Sequence, residues 1–392
     1  MRSCHHQPGE DTTTFVRASR DTERWLEELS QSIALVTLAL QFAKGLNSDF
    51  DFQRLKEVAN SISHDRLSRV ELQLLPILAS ALDEVLPNHP ANALALGAKR
   101  RAAAEALLAD SAARIAAESL RAQGLPSVRL KGLALVGDYE AMGWRRPMGD
   151  ADLLIVEPTS WKVVEETLIK VGFNPAPGSV HARNFDLPNG RRVDIHRFIS
   201  TPNAYPVSLQ RLIPLVVASN TSSRQESELP AEVHMAHAIE HAMRWNPILP
   251  ARSISDIAVI QHTSPNVDWQ VVHDLLCEWA ANRNGRAFLA VLARAGIVPM
   301  QAVSTQSGRA EEDVWLQTWA TADPRRSWIK QSITFFGLVP RRLSRKDPDF
   351  VYSNYLRGLW SLRPEESISA AITHRIKQRV TYRRNLPQYI HE

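Results

Sequence analysis

Cysteine is nearly missing from this chain of 392 residues, which has only Cys4 and Cys277. Two thiols so far apart exclude a disulfide framework and a cysteine-built zinc module, and they point to a reducing compartment. Long apolar runs are missing too. The best stretch, residues 33–43, is interrupted by Thr37 and Gln41 and is about half of what a membrane span needs. Residues 1–14 carry Cys4, His5, His6, Glu10 and Asp11 and no apolar block of the signal-peptide kind. A cytoplasmic protein with no membrane attachment is expected. Glycine and proline number 16 and 23, and charged residues make up 22%, which excludes collagen-like, coiled-coil and wholly disordered classes.

Charge of one sign is scarce as well, since 46 Lys and Arg stand against 42 Asp and Glu, a net +4. The excess is local. Residues 338–392 hold 11 basic against 5 acidic side chains, so the rest of the chain is slightly acidic. That tail also carries Tyr352, Tyr355, Trp360 and Tyr382. Basic and aromatic side chains together can bind and stack nucleic acid, but no recognised RNA-binding motif occurs and a solvated pair of helices is the favoured reading.

Five regions are expected. Residues 1–18 read as a disordered start and 19–125 as a helical region, with Leu29, Ile33 and Val36, then Leu67, Val70, Leu75 and Leu78, at helical spacing. Pro90 opens a long alanine-rich helix that Gly124 and Pro126 stop. Residues 126–200 change character. Val128–Leu130 is a short strand candidate, Gly132–Met142 a helix, Ala151–Val156 an apolar strand, and a helix beginning at Pro158 stops at Gly172. A hairpin follows, His181–Leu187 and Arg191–Phe198 around Pro188-Asn189-Gly190, in which Asn and Gly suit the positive φ of a tight turn. Residues 201–337 return to helices, and 338–392 form the basic segment. The fold class is α+β, with a small mixed sheet flanked by N-terminal and C-terminal helical regions.

The sharpest chemical signal is Asp150-Ala-Asp152 at the start of an apolar strand. Alternation along a strand puts both carboxylates on one side, and like charges that close call for a cation. Hard oxygen ligands suit Mg2+ or Mn2+ together with substrate phosphates. In Arg192-Val-Asp194-Ile-His196, Val193 and Ile195 share one face, and Asp194 and His196 the other. Asp is depleted in strands, so Asp194 in mid-strand is expected to join Asp152 at one sheet edge, as a metal site for displacement at phosphorus requires. Lys131-Gly132 lies at a strand-to-helix junction, where Gly132 allows a tight turn, the following amides can hold an anion and Lys131 adds charge.

Leu130-Lys-Gly132, Tyr139, Arg146-Pro-Met-Gly-Asp150-Ala-Asp152-Leu-Leu-Ile-Val, Gly172-Phe173, His181 and Val193-Asp194-Ile-His196 form an ordered series. It resembles the bacterial nucleotidyltransferase family proteins, a branch of the polymerase-β-like nucleotidyltransferase superfamily. His237 and Arg252-Ser-Ile-Ser-Asp256-Ile-Ala extend the likeness to about residues 90–300. The resemblance implies a core of nucleotidyltransferase type. In it Asp150, Asp152 and Asp194 are catalytic and bind Mg2+ or Mn2+, while Lys131, Gly132 and Arg146 hold the nucleotide's phosphates. His181, His196, His237 and Arg252 are expected as substrate contacts. An NTP, with ATP first, is the expected donor, and a small molecule, peptide or protein the acceptor.

The chain departs from the superfamily's usual Gly-Ser or Gly-Gly at the phosphate turn, having Lys131-Gly132-Leu133. Two alternatives therefore stay open: a phospho- or glycosyltransferase using the same metal site, and an inactive nucleotide- or RNA-binding module. His234, His237 and His241 lack the His-Glu-x-x-His order of metalloproteases, so a zinc site there is disfavoured. Arg252 and Asp256, four apart, also suit an intrahelical pair worth a few tenths of a kcal/mol.

Overall fold

The structure is a computed structural model that describes residues 20–45, 50–62, 67–156, 161–176, 182–200, 207–208, 229–243, 251–279 and 282–303. The expected disordered start at 1–18, His181 and the basic segment at 338–392 lie outside the described residues.

Eleven α-helices and seven strands are present among the described residues. The first four helices are α1 (Arg20–Ala43), α2 (Phe52–Ser61), α3 (Arg69–Val85) and α4 (Pro90–Ala122). Next come β1 (Ser127–Arg129), α5 (Lys131–Ala134), α6 (Val136–Ala141), β2 (Asp150–Ile155), α7 (Trp161–Lys170) and β3 (Asn174–Ala176). The strands β4 (Ala182–Asp186), β5 (Arg192–His196), β6 (Phe198–Ser200) and β7 (Val207–Ser208) follow. The chain then returns to helix in α8 (Ala231–Met243), α9 (Ala251–Thr263), α10 (Trp269–Glu278) and α11 (Asn282–Arg294). This is a mixed α+β fold, as expected.

Local chemistry explains where several elements start. Ser68 and Glu71 form a reciprocal capping box at α3, so two amides that the helix itself leaves open are satisfied. Pro90 occupies the first turn of α4, where its missing N–H costs nothing, and the His89 side chain accepts from Ala91 N. The hairpin loop closes through Gly190 N to Leu187 O at 2.9 Å and Leu187 N to Arg191 O at 2.7 Å. Within it Gly190 alone takes positive φ, +77°, so this is not the two-residue turn that Asn189-Gly190 suggests. Asn189 instead accepts from Arg191 N through its side chain.

The main sheet runs β1-β2-β5-β4-β3. β2 and β5 are parallel, and the other pairs in it are antiparallel. One face of β2 and β5, carrying Ala151, Leu153, Ile155, Val193 and Ile195, packs on α7 and the C-terminal half of α4. On α4 the buried positions there are Ala106, Ala109, Ala113, Ala116 and Leu120, at helical spacing, and their small side chains let the helix approach the sheet closely. A larger core joins α1 and α3 to α8, α9, α10 and α11, and Leu154, Leu130, Tyr139 and Trp144 reach into it from the sheet side. Residues widely separated in sequence thus share one apolar interior beside the polar face of β2 and β5.

The helix expected over Gly132–Met142 is broken at Leu135, which has φ −97° and ψ 5° and separates α5 from α6. The left-handed residue at this turn is Lys131, φ +52°, and not Gly132. Space is limited at 132: an added Cβ would meet the Nη1, Cζ and Nε atoms of Arg146, which would have to shift.

Candidate functional site

The parallel register of β2 and β5 sets Asp150 opposite Arg192, Asp152 opposite Asp194 and Leu154 opposite His196. Because side chains alternate along a strand, Asp150, Asp152, Asp194 and His196 share the face that does not pack on α7. Asp150 is exposed, Asp194 half-buried, and Asp152 and His196 are buried at 5% and 6% exposure. The ligating atoms of Asp152, Asp194 and His196 lie within 4.8 Å of one another. Among the described residues, this is the group of His, Cys, Asp and Glu side chains close enough to hold a metal ion, and His237 is not part of it.

The two opposed carboxylates differ sharply. Asp152 Oδ1 accepts from His196 Nε2 at 2.7 Å and is ion-paired to the Lys131 ammonium. Burial by itself would raise the Asp152 carboxyl, but the Lys131 charge and the His196 hydrogen bond outweigh it and hold the group well below the usual carboxylate range. Asp194 is helped less, since Lys131 and Arg192 lower it without outweighing the opposing causes. Its Oδ1 is buried without a hydrogen-bond partner, and burial, then Asp152 and Asp150, push the carboxyl up to about 7. An oxygen buried without a donor, on a carboxylate crowded by two others, is a position that a divalent cation would satisfy. The all-oxygen set of Asp150, Asp152 and Asp194 suits a hard ion, and His196 adds a nitrogen.

Lys131 reaches Asp152 from the first position of α5. Its backbone is held by Leu130 N donating to Asp152 O at 3.0 Å, and the left-handed φ costs roughly 1–3 kcal/mol that the pairing helps offset. Beside it, Arg146 covers Gly132 and pairs bidentately with Asp256 of α9, Nε to Oδ1 at 2.7 Å and Nη2 to Oδ2 at 3.0 Å. Tyr139 Oη is 2.8 Å from Asp256 Oδ1 and from Ser255 Oγ, and its one proton serves the charged carboxylate. Asp256 is therefore engaged across to Arg146 and Tyr139, and the i,i+4 pair with Arg252 is not the one formed.

Arg252 is left differently. Its Nε is buried without a hydrogen-bond partner. Burial and then Arg146 lower its guanidinium, while Asp150, Asp256 and Glu105 act against that. His237 is buried in α8, its ring edge-on to His241 at 6.3 Å between centroids. Its neighbour His234 is lowered to about 4, chiefly by burial. An open cleft of about 1250 Å³ lies against α4, α5, α6, α8 and α9, with Arg129, Arg145 and His234 on its walls, and the carboxylates of β2 and β5 do not line it. The candidate metal ligands lie on the adjacent inner strands β2 and β5, not at a sheet edge as expected, and apart from this cleft.

Of the expected site residues, the structure gathers Lys131, Asp150, Asp152, Asp194 and His196. Gly132 and Arg146 are packed together in the neighbouring network, and Arg252 feels the charges of both Asp150 and that network. The partnership of Arg146 with Asp256, 110 residues later, leaves no local trace in the sequence. The role of His196 is signalled by its place two residues after Asp194 on the same strand face.

A family described as "Uncharacterised nucleotidyltransferase" matches residues 68–295, more than half of the chain, and the chain belongs to it. A search of curated proteins found none that matches. Among the described residues, no helix is long and apolar enough to cross a membrane.

Proposed function

We propose that this protein is a metal-dependent transferase that moves a nucleoside monophosphate from an NTP, with ATP first, to a hydroxyl, phosphate or amine of a small-molecule, peptide or protein acceptor and releases pyrophosphate. The observation that carries the reading is the parallel pairing that sets Asp152 against Asp194, with a buried Asp194 oxygen lacking any donor. In this reading Asp150, Asp152 and Asp194 hold Mg2+ or Mn2+, which neutralises the phosphoryl oxygens during in-line displacement when bound. Asp152, ionised well below neutrality, supplies a fixed negative charge, and His196 holds its oxygen in place. Asp194, on the same face beside Asp152, is the carboxylate that takes the proton from the attacking group. Arg252 binds a phosphate oxygen with the guanidinium edge that lacks a partner. Arg146 is architectural here, because Asp256 already satisfies it. The scarcity of cysteine supports a cytoplasmic setting, and nucleic acid is not the favoured acceptor.

Asp152→Asn tests this. Mg2+-dependent nucleotide turnover should fall by more than the roughly 10- to 100-fold that loss of an outer partner of a metal ligand costs. Circular dichroism should stay unchanged. Undiminished turnover in a folded variant rejects the site.

A further inference from the structure

The opposite face of the sheet carries a second group of charged side chains. Arg183 on β4 is in register with Ile195, so it points to the α7 side, where its guanidinium is ion-paired to Glu165. Arg197 follows β5 directly. Both guanidiniums lie over one indole, that of Trp161, which opens α7: Arg197 Cζ is 4.5 Å and Arg183 Cζ 5.2 Å from the ring. Trp161 is 5% exposed, and its Nε1 is buried without a hydrogen-bond partner. The Nε of Arg197 is in the same state.

Two like charges on one ring repel, and the carboxylate of Glu165 is paired to Arg183. An indole face interacts with a cation but offers no acceptor to an N–H donor, so both buried donors remain unsatisfied. An oxyanion would satisfy them and supply the counter-charge. A phosphate suits two guanidiniums better than a carboxylate because it carries more charge and more acceptor oxygens. The buried indole leaves no open face on which a base could stack, so recognition is of the anion itself.

We propose that Arg197, Arg183 and Trp161 form a second ligand site, on the sheet face opposite the carboxylates, that takes a phosphate group. A phosphorylated ligand held there sits at the end of the strand that carries Asp194 and His196. The proposal does not depend on the transferase reading.

The test follows the indole N–H resonance of Trp161 in the full-length protein, assigned through Trp161→Phe, during titration with inorganic phosphate at constant ionic strength. In the wild type and in Asp152→Asn the resonance should move and saturate. Arg197→Gln should abolish the movement, and Arg197→Lys, which keeps charge but loses the planar fork, should weaken the apparent affinity about tenfold. A resonance that stays still in the wild type overturns the site, as does equal movement in a folded Arg197→Gln. Acetate moving it as far as phosphate overturns the phosphate assignment.

Discussion

The two faces of β2 and β5 are built by alternate residues of the same strands, yet they follow opposite rules. Ala151, Leu153, Ile155, Val193 and Ile195 join α4 and α7 in one apolar core. Asp150, Asp152, Asp194 and His196 face the other way, with crowded carboxylates and one buried oxygen lacking a donor. Stability and chemistry are thus divided by a single residue step. A strand this short can hold an unfavourable charge only because its reverse side is packed. Substitutions on the apolar face should therefore alter stability, and those on the polar face should alter function or improve stability.

The largest stability effect is expected from Ile195→Ala, since Ile195 is fully buried. Removing it should cost about 2–5 kcal/mol in urea denaturation, and a cost typical of a surface position would erase the contrast. Gly132→Ala comes next, because the new methyl group must displace Arg146 and strain its pair with Asp256. A loss of about 1–3 kcal/mol is expected, together with a weaker response to added nucleotide. A Gly132→Ala variant as stable as the wild type would show that the Arg146 packing is loose.

Asp194→Asn should act in the opposite direction. The folded carboxyl is raised to about 7, above its unfolded value near 4, so the native state binds more protons between those pH values. The favourable contribution of the protonated form is complete below about pH 4 and lost as pH rises towards 7. With chelator present, Asp194→Asn should match the wild type at about pH 4 and exceed it at about pH 8 in urea midpoint. Equal midpoints at both pH values would mean that Asp194 is not strained. The smallest stability change is expected from Arg252→Gln, within about 0.5 kcal/mol, because its Nε has no partner to lose. It should raise KM for the donor, and an unchanged KM would remove Arg252 from phosphate binding.

Much of this arrangement is legible in the chain. Val193-Asp194-Ile195-His196 declares two faces by alternation alone, and Asp150-Ala-Asp152 places two carboxylates on one side. Pro90 and the Pro188-Asn189-Gly190 loop mark element ends through backbone constraints that act within a few residues. What cannot be read locally is pairing across distance. The parallel partnership of β2 with β5 skips a helix and two strands, Lys131 meets Asp152, and Arg146 meets Asp256 through folding of the whole chain. The strands β3 and β6, three residues each, give too few alternations to declare a period. Gly132 shows the same limit at one residue: its identity suggests a backbone turn, and the reason for it is a guanidinium from elsewhere.

The pairing of Arg146 with Asp256 also bears on how this protein can be divided. A fragment that stops after β6 would retain the main sheet and all three carboxylates, but it would leave the guanidinium over Gly132 without its carboxylate partner. The polar face of β2 and β5 is thus not a portable module. Any excised, permuted or transplanted version has to carry α9 with it, since the acid that seats this arginine is supplied from there.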